Sequence, residues 1–246
     1  MQLKLASVLL AIGSASLARA VQTCVNTNGI VGECISTSSC AGNGGSSDPA
    51  NLCPGDDSIQ CCTYGSCNGV PGTCLPTLGC SGNPNPANLC PGGDLIQCCQ
   101  DAPGVISGLT AIQSAHAYQI AKAVRAKGLG RQACLVAITT GITEANLLNY
   151  ANSDVGASFN YYYDAVSSDY DSVGVFQQRV SYYPNIDADM DPQQAAEAFL
   201  DKMVNIDGWE TADVGTVCQE VQGSAYPDRY DENVSQASGI CTAMGF

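Results

Sequence analysis

Residues 133–150, ACLVAITTGITEANLLNY, decide how the C-terminal half of this chain is expected to fold. Residues 134–143 carry no charge, and their large apolar side chains recur at helical spacing. This pattern predicts a helix that is buried on most sides. Glu144 is the first charged residue of the stretch, and it comes at the predicted end of the helix.

The position of Glu144 suggests a chemical role. A carboxyl group at the end of a buried helix loses solvation, which disfavours its ionised form and raises its pKa toward the range of a general acid. The alternative is a glutamate at a frayed helix end, exposed to solvent.

The first twenty residues resemble a secretory signal peptide. Lys4 precedes an apolar segment that is too short to span a bilayer, and Ala18-Arg19-Ala20 is the small-x-small pattern of a cleavage site. We therefore expect cleavage after Ala20 and a secreted product.

The chain is strongly acidic, with a formal net charge of −14. Removal of residues 1–20 would leave seven basic and 23 acidic side chains, a net charge near −16. Nucleic acids and anionic membranes bind clustered Lys and Arg, so neither is an expected partner. A polysaccharide is compatible with this charge.

Residues 21–63 and 64–100 are two copies of one six-cysteine pattern, and the motif ANLCPGDDSIQCC returns as ANLCPGGDLIQCC. In an exported chain, three disulfides per copy are expected to replace a large apolar core, with the pairing left open. The adjacent cysteines resemble those of small defensin-like and clip-like modules, which bridge to different partners. Zinc is the competing interpretation, but neither copy contains a histidine or a C-x2-C pair.

The two copies could be accessory modules that hold an enzyme on an insoluble polymer, or protease-resistant spacers.

Residues 101–108 are predicted to be a linker. Residues 109–246 then form one compact domain, with helices expected at 109–127, 131–145, 192–204 and 213–223. Residues 149–178 are predicted to form loops and short strands along one wall of a cleft. The expected fold class is α+β, with a mainly helical domain after two small disulfide-rich modules.

Four segments of this domain are similar, in sequence and in order, to segments of a known family: AITTGITEANLLNYANS, SSDYDSVGVFQQRVSYY, MDPQQAAEAFL and VCQEVQGSAYPDRYDE. They resemble a secreted branch of the lysozyme-like superfamily, found in bacterial wall hydrolases and fungal muramidases. The resemblance implies that Glu144 is the catalytic acid. It also implies that residues 174–177 form a strand facing Glu144, with Gln177 bonding sugar or ordering the site. Asp171, the aspartate nearest before this strand, is the candidate second carboxylate, and Asp169 is the next nearest.

The implied activity is cleavage of the β-1,4 link between N-acetylmuramic acid and N-acetylglucosamine in bacterial peptidoglycan, by a monomer without a cofactor or metal. Such a reaction needs a protonated acid and a group that stabilises an oxocarbenium-like centre. Tyr163, Tyr182 and Tyr226 are candidate sugar contacts, together with Asp169 and Gln177. A lytic transglycosylase, a chitinase and a non-catalytic wall-binding protein are the alternatives.

His116, Trp209 and the three cysteines of the domain are assigned structural roles, and the role of Arg179 is left open. His116 is the only histidine, and no nucleophile motif accompanies it. Trp209 is expected in the core, and Arg179 either contacts an acidic substrate group or pairs with a local carboxylate. Cys134 lies in the apolar helix and is predicted to be a free thiol, which leaves Cys218 and Cys241 to pair.

Overall fold

The structure is a computed structural model that describes residues 21–246. It is a mixed α and β protein whose N-terminal part is rich in disulfides. The predicted signal peptide lies outside the described residues. None of the described helices has the length and hydrophobicity that a membrane span requires.

The first cysteine-rich repeat is a four-stranded antiparallel sheet in the order β1-β2-β4-β3, with one short helix. Its elements are β1 (Thr23–Val25), β2 (Val31–Ser36), α1 (Thr37–Gly42), β3 (Ser46–Asp48) and β4 (Ile59–Thr63). Three disulfides cross it: Cys24–Cys61, Cys34–Cys53 and Cys40–Cys62.

The second repeat is a three-stranded antiparallel sheet in the order β5-β7-β6. Its strands are β5 (Thr73–Pro76), β6 (Asn83–Asn85) and β7 (Ile96–Gln100). Its disulfides are Cys67–Cys98, Cys74–Cys90 and Cys80–Cys99, which join the same cysteine positions as in the first repeat.

Three disulfides in each repeat confirm the prediction. Adjacent cysteines take different partners because successive side chains of a strand point to opposite faces. Cys61 and Cys62 therefore reach Cys24 and Cys40 on opposite sides of β4.

Six α-helices form nearly half of the C-terminal region. They are α2 (Ala111–Ala126), α3 (Arg131–Ala145), α4 (Ile186–Asp189), α5 (Pro192–Met203), α6 (Val214–Gln222) and α7 (Val234–Ala243). Helix α3 packs against α2, α5, α6 and α7, which accounts for its uncharged sequence. The predicted bounds of α3 match the structure, and α7 is a helix that the sequence analysis missed.

Local hydrogen bonds set where these helices begin. Thr110 and Gln113 form a reciprocal capping box at α2. Asp191 accepts hydrogen bonds from the backbone N–H groups of Gln193 and Gln194 at the start of α5, which has Pro192 in its first turn.

Four short strands connect α3 to α4. β8 (Tyr150–Asn152) and β9 (Ala165–Ser167) pair in parallel, whereas β10 (Ser172–Val173) and β11 (Gln178–Arg179) form an antiparallel hairpin. The prediction that residues 174–177 form a strand is wrong, because they are the turn of this hairpin. Gly174 has φ +76°, and a Cβ there would lie 2.1 Å from the carbonyl oxygen of Asp189, so only glycine fits.

The cysteine pairing predicted for the C-terminal region is wrong as well. Cys134 on α3 is bonded to Cys241 on α7, and Cys218 on α6 is the free, buried thiol among the described residues. The apolar surroundings of Cys134 suggested a free thiol, but a disulfide between two packed helices is equally buried. Both of its cysteines are fully inaccessible to solvent.

The repeats pack directly against the helical region. Ile112 of α2 shares an apolar cluster with Val31 and Leu75 of the two repeats. Gln119 of α2 donates hydrogen bonds from Nε2 to the carbonyl oxygens of Leu78, at 2.9 Å, and Cys80, at 3.2 Å. The second repeat is therefore held by buried apolar and polar contacts in addition to residues 101–108.

A buried carboxylate joins the first repeat to the C-terminal region. Glu33 of β2 is 5% exposed and accepts hydrogen bonds from the hydroxyls of Tyr64 and Tyr162. Beside it, the backbone N–H of Thr23 donates to the carbonyl oxygen of Tyr163 at 2.8 Å. These contacts hold the first repeat against the segment that precedes β9.

Candidate active site

A cleft of about 950 Å³ opens on the C-terminal region. It lies where the C-terminal end of α3 meets the β10–β11 hairpin and the segment that follows α6. Residues 143–144, 169–170, 177–179, 182–183, 221–226 and 229 contribute to its walls. Glu144 lies in this cleft together with residues of two of the downstream segments quoted above, SSDYDSVGVFQQRVSYY and VCQEVQGSAYPDRYDE, whereas no residue of MDPQQAAEAFL lines it.

Glu144 occupies the last turn of α3 and is half-buried. Its Oε1 accepts a hydrogen bond from the hydroxyl of Tyr230, which is itself fully buried. Burial raises the pKa of Glu144 above its usual value, and the negative charge of Asp169 adds to the rise. Hydrogen bonds from Tyr230 and Gln222 and the charge of Arg229 oppose part of it. The carboxyl therefore keeps its proton to a higher pH than a free glutamic acid does.

Tyr230 and Gln222 are site residues that the sequence analysis missed. The side chain of Gln222 also donates to the carbonyl oxygen of Phe176 at 2.9 Å, which ties the end of α6 to the β10–β11 turn. Asn233 donates to the hydroxyl of Thr143 at 2.9 Å and anchors the Tyr230 segment to α3. Tyr230 and Gln222 both fall in the segment VCQEVQGSAYPDRYDE, so the resemblance contained the signal for them.

Four of the predicted substrate contacts line the same cleft as Glu144: Asp169, Gln177, Tyr182 and Tyr226. Tyr182 and Tyr226 are 71% and 66% exposed, so each has ring surface open to a ligand, although the guanidinium of Arg179 lies over one face of Tyr182, 5.4 Å from the ring centre. The side chain of Gln177 donates to the carbonyl oxygen of Gly174 at 2.9 Å. Its amide thus holds the hairpin turn.

Asp169 is the carboxylate that the structure places in the cleft with Glu144. Its backbone is fixed by the fully buried Asn152, whose Nδ2 donates to the carbonyl oxygens of Asp169, at 3.2 Å, and Ser172, at 2.9 Å. The loop before β10 is therefore anchored from beneath by a side chain of β8.

Asp171 has a different environment. Its carboxylate pairs with the guanidinium of Arg179 and accepts the backbone N–H of Ser181 at 2.9 Å. These bonds lower the pKa of Asp171 to about 2, with the Arg179 hydrogen bond as the largest cause. Asp171 is not part of the cleft wall, and Arg179 pairs with it as a local carboxylate.

Tyr163 lies away from the cleft. Its ring packs edge-on against Phe159 with 5.4 Å between ring centres, and its backbone bonds to Thr23 of the first repeat. The structure therefore places this predicted sugar contact in the packing between the first repeat and the C-terminal region.

His116 and Trp209 are buried, as their structural assignments require. Nδ1 of His116 is 2.8 Å from the carbonyl oxygen of Leu147 and 3.6 Å from the carboxylate of Asp164. In residues 21–246, the groups of side chains close enough to share a metal ion are the triplets Cys24, Cys34, Cys53 and Cys67, Cys74, Cys90. All six cysteines are in disulfides, so their sulfur atoms are not available as thiolate ligands.

No protein-family model matches the sequence, and no curated protein matches it either.

Proposed function

We propose that this protein is a secreted muramidase with a lysozyme-like catalytic domain, and that Glu144 is its general acid. The observation that carries the proposal is the half-buried carboxyl of Glu144, which has a raised pKa, lines the 950 Å³ cleft and accepts a hydrogen bond from the buried Tyr230. The order of the four segments in the resemblance and the seven disulfides, which are typical of secreted or extracellular proteins, support it.

The geometry of Glu144 suits proton donation to a leaving oxygen. Because Oε1 accepts the bond from Tyr230, the proton of the acid is carried by the other carboxyl oxygen, which can donate it to the glycosidic oxygen. Loss of that proton leaves a carboxylate, which the Tyr230 hydroxyl and Gln222 stabilise by hydrogen bonds. The same two groups therefore orient the acid and support its conjugate base.

A second carboxylate stabilises the positive charge that develops at the anomeric carbon. We assign this role to Asp169 in place of Asp171, because Asp169 lines the cleft and its charge acts on Glu144. Asp171 does not line the cleft, and its carboxylate is paired with Arg179. The exposed rings of Tyr182 and Tyr226 offer apolar faces for sugar rings.

A lytic transglycosylase is the second candidate. It needs one glutamate and no attacking water, and Glu144 is the one glutamate among the residues described as lining the cleft. The two reactions leave different products, because a muramidase releases reducing muramic acid ends and a transglycosylase releases 1,6-anhydro ends that are lighter by one water.

Digestion of purified peptidoglycan, with products read by mass spectrometry, tests the proposal. We expect reducing muropeptides. Anhydro ends would move the assignment to the transglycosylase, and a protein that binds the polymer but releases nothing would be a non-catalytic wall-binding protein.

A further inference from the structure

The basic side chains of the described chain are few, and most are already bonded to the protein. Five of the seven donate hydrogen bonds or form ion pairs with protein oxygens: Lys122, Arg125, Lys127, Arg131 and Arg179. Within residues 21–246, Lys202 and Arg229 are the two that have neither a hydrogen bond nor an ion pair to a protein group.

Both of these cations line the cleft that contains Glu144. Lys202 lies in the last turn of α5, with its ammonium 3.6 Å from the ring centre of Tyr183. Arg229 lies in the short turn before Tyr230, close enough to Glu144 for its charge to act on that carboxyl. Both side chains are exposed.

Their lack of partners is informative because the chain has 23 acidic residues. Carboxylates pair with Lys127 outside the cleft and with Arg179 in the cleft wall, but no carboxylate of the described residues forms an ion pair with Lys202 or Arg229. The attraction of Lys202 and Arg229 for a negative charge is therefore available to a ligand. A guanidinium can take a carboxylate through two parallel hydrogen bonds, and an ammonium acts as a point charge.

We propose that Lys202 and Arg229 bind carboxylates of the substrate, so that the cleft selects an anionic glycan over a neutral one. This inference rests on the proposed function and narrows its substrate. Peptidoglycan carries carboxylates on its stem peptides and, where the stems are absent, on its lactyl groups. Chitin carries none, so the chitinase alternative is disfavoured.

Kinetics on soluble, uncross-linked glycan strands test the inference. Three forms are compared: strands with intact stems, strands whose stem carboxylates are converted to amides, and strands without stems that expose lactyl carboxylates. The proteins are wild type, Lys202→Gln, Arg229→Gln and the control Lys127→Gln. The control removes the same charge from a lysine outside the cleft that pairs with the exposed Asp201.

We expect each cleft variant to raise KM about threefold to tenfold on strands with free carboxylates, as for the loss of one charge-assisted contact. On the acidic side of the pH profile, where Glu144 is protonated, the kcat of Lys202→Gln should stay unchanged, whereas Arg229→Gln also loses a charge that acts on Glu144 and is therefore judged by KM alone. On amidated strands neither cleft variant should change KM, and Lys127→Gln should have no effect on any strand. An effect confined to strands with stems assigns the contact to the stem, and one that persists without stems assigns it to the lactyl group.

Equal losses on free and amidated strands, or no loss on either, would overturn the inference while leaving the muramidase proposal intact. A binding measurement with the Glu144→Gln protein tests the inference in the opposite case, in which the proposed function fails. If the wild type releases no product, the proposed function fails. The inference then stands only if strands with free carboxylates bind more tightly than amidated ones and lose that preference in Glu144→Gln/Arg229→Gln.

Discussion

Asp189 gives the chain a measurable pH dependence of stability. This carboxyl on α4 is 2% exposed, and its Oδ2 has no hydrogen-bond partner among the described residues. Burial raises the pKa of Asp189 from 3.8 to about 7, and the charge of Lys202 opposes part of the rise. We predict that Asp189→Asn removes this dependence.

The sign and size follow from proton linkage. Between pH 3.8 and about 7 the folded protein keeps a proton that the unfolded chain has released, so the free energy of unfolding falls as the pH rises. At about 1.4 kcal/mol per pH unit the full loss is about 4 kcal/mol, and partial solvation of the carboxyl would reduce it to about 2 kcal/mol. Asparagine cannot ionise, so the variant lacks this loss.

The effect is measured by urea unfolding at pH values from 3 to 8, with the disulfides intact. The proteins compared are the wild type, Asp189→Asn and the exposed control Asp207→Asn. The stability of Asp189→Asn relative to the wild type should increase by about 2–4 kcal/mol from pH 3 to pH 8. The asparagine amide adds a constant offset, because it has no partner in the core, but it does not change this trend. A difference that stays constant with pH would refute a buried, unpaired carboxyl at this position.

Two further predictions concern the acid and the C-terminal disulfide. Tyr230→Phe removes the hydroxyl that donates a hydrogen bond to Glu144. Because a hydrogen bond to a charged group is worth about 1.5–3 kcal/mol, its loss should raise the pKa of Glu144. The alkaline limb of the kcat/KM profile should therefore move up by about one to two pH units. An unchanged limb would contradict the role of this bond. Replacing Cys134 and Cys241 together by alanine should lower stability by about 4–5 kcal/mol, because the bridge closes a loop with a sequence separation of 107. Thermal unfolding of the double variant and of the control Cys218→Ala, which breaks no disulfide, checks this prediction. Equal losses of stability in the two proteins would contradict the Cys134–Cys241 pairing.

Local sequence signals predicted the helices better than the rest of the fold. The uncharged run before Glu144 gave the bounds of α3, because a helix packed on several sides excludes charge. Asp191 and Asp213 marked the starts of α5 and α6, since each accepts backbone N–H groups of the first turn. Helix α7 lacks a side-chain cap at its start, and the sequence analysis missed it.

Features that depend on contacts distant in sequence were predicted less well. The partner of Cys134 is set by the packing of α3 on α7, which no local pattern encodes. Tyr230 reaches Glu144 from 86 positions away, and its buried hydroxyl has no sequence signature. Asp171 was favoured over Asp169 by proximity along the chain to the β10–β11 hairpin, but its carboxylate is paired with Arg179 and does not line the cleft.

The central claim is that Glu144 is the acid of a glycan-cleaving cleft. The most direct measurement is the rate at which purified peptidoglycan releases reducing ends with the wild type, Glu144→Gln and Glu210→Gln, an exposed glutamate outside the cleft. We predict that Glu144→Gln lowers the rate by at least about a hundredfold, the usual contribution of general acid catalysis, while Glu210→Gln matches the wild type. Release by Glu144→Gln at the wild-type rate would contradict the claim.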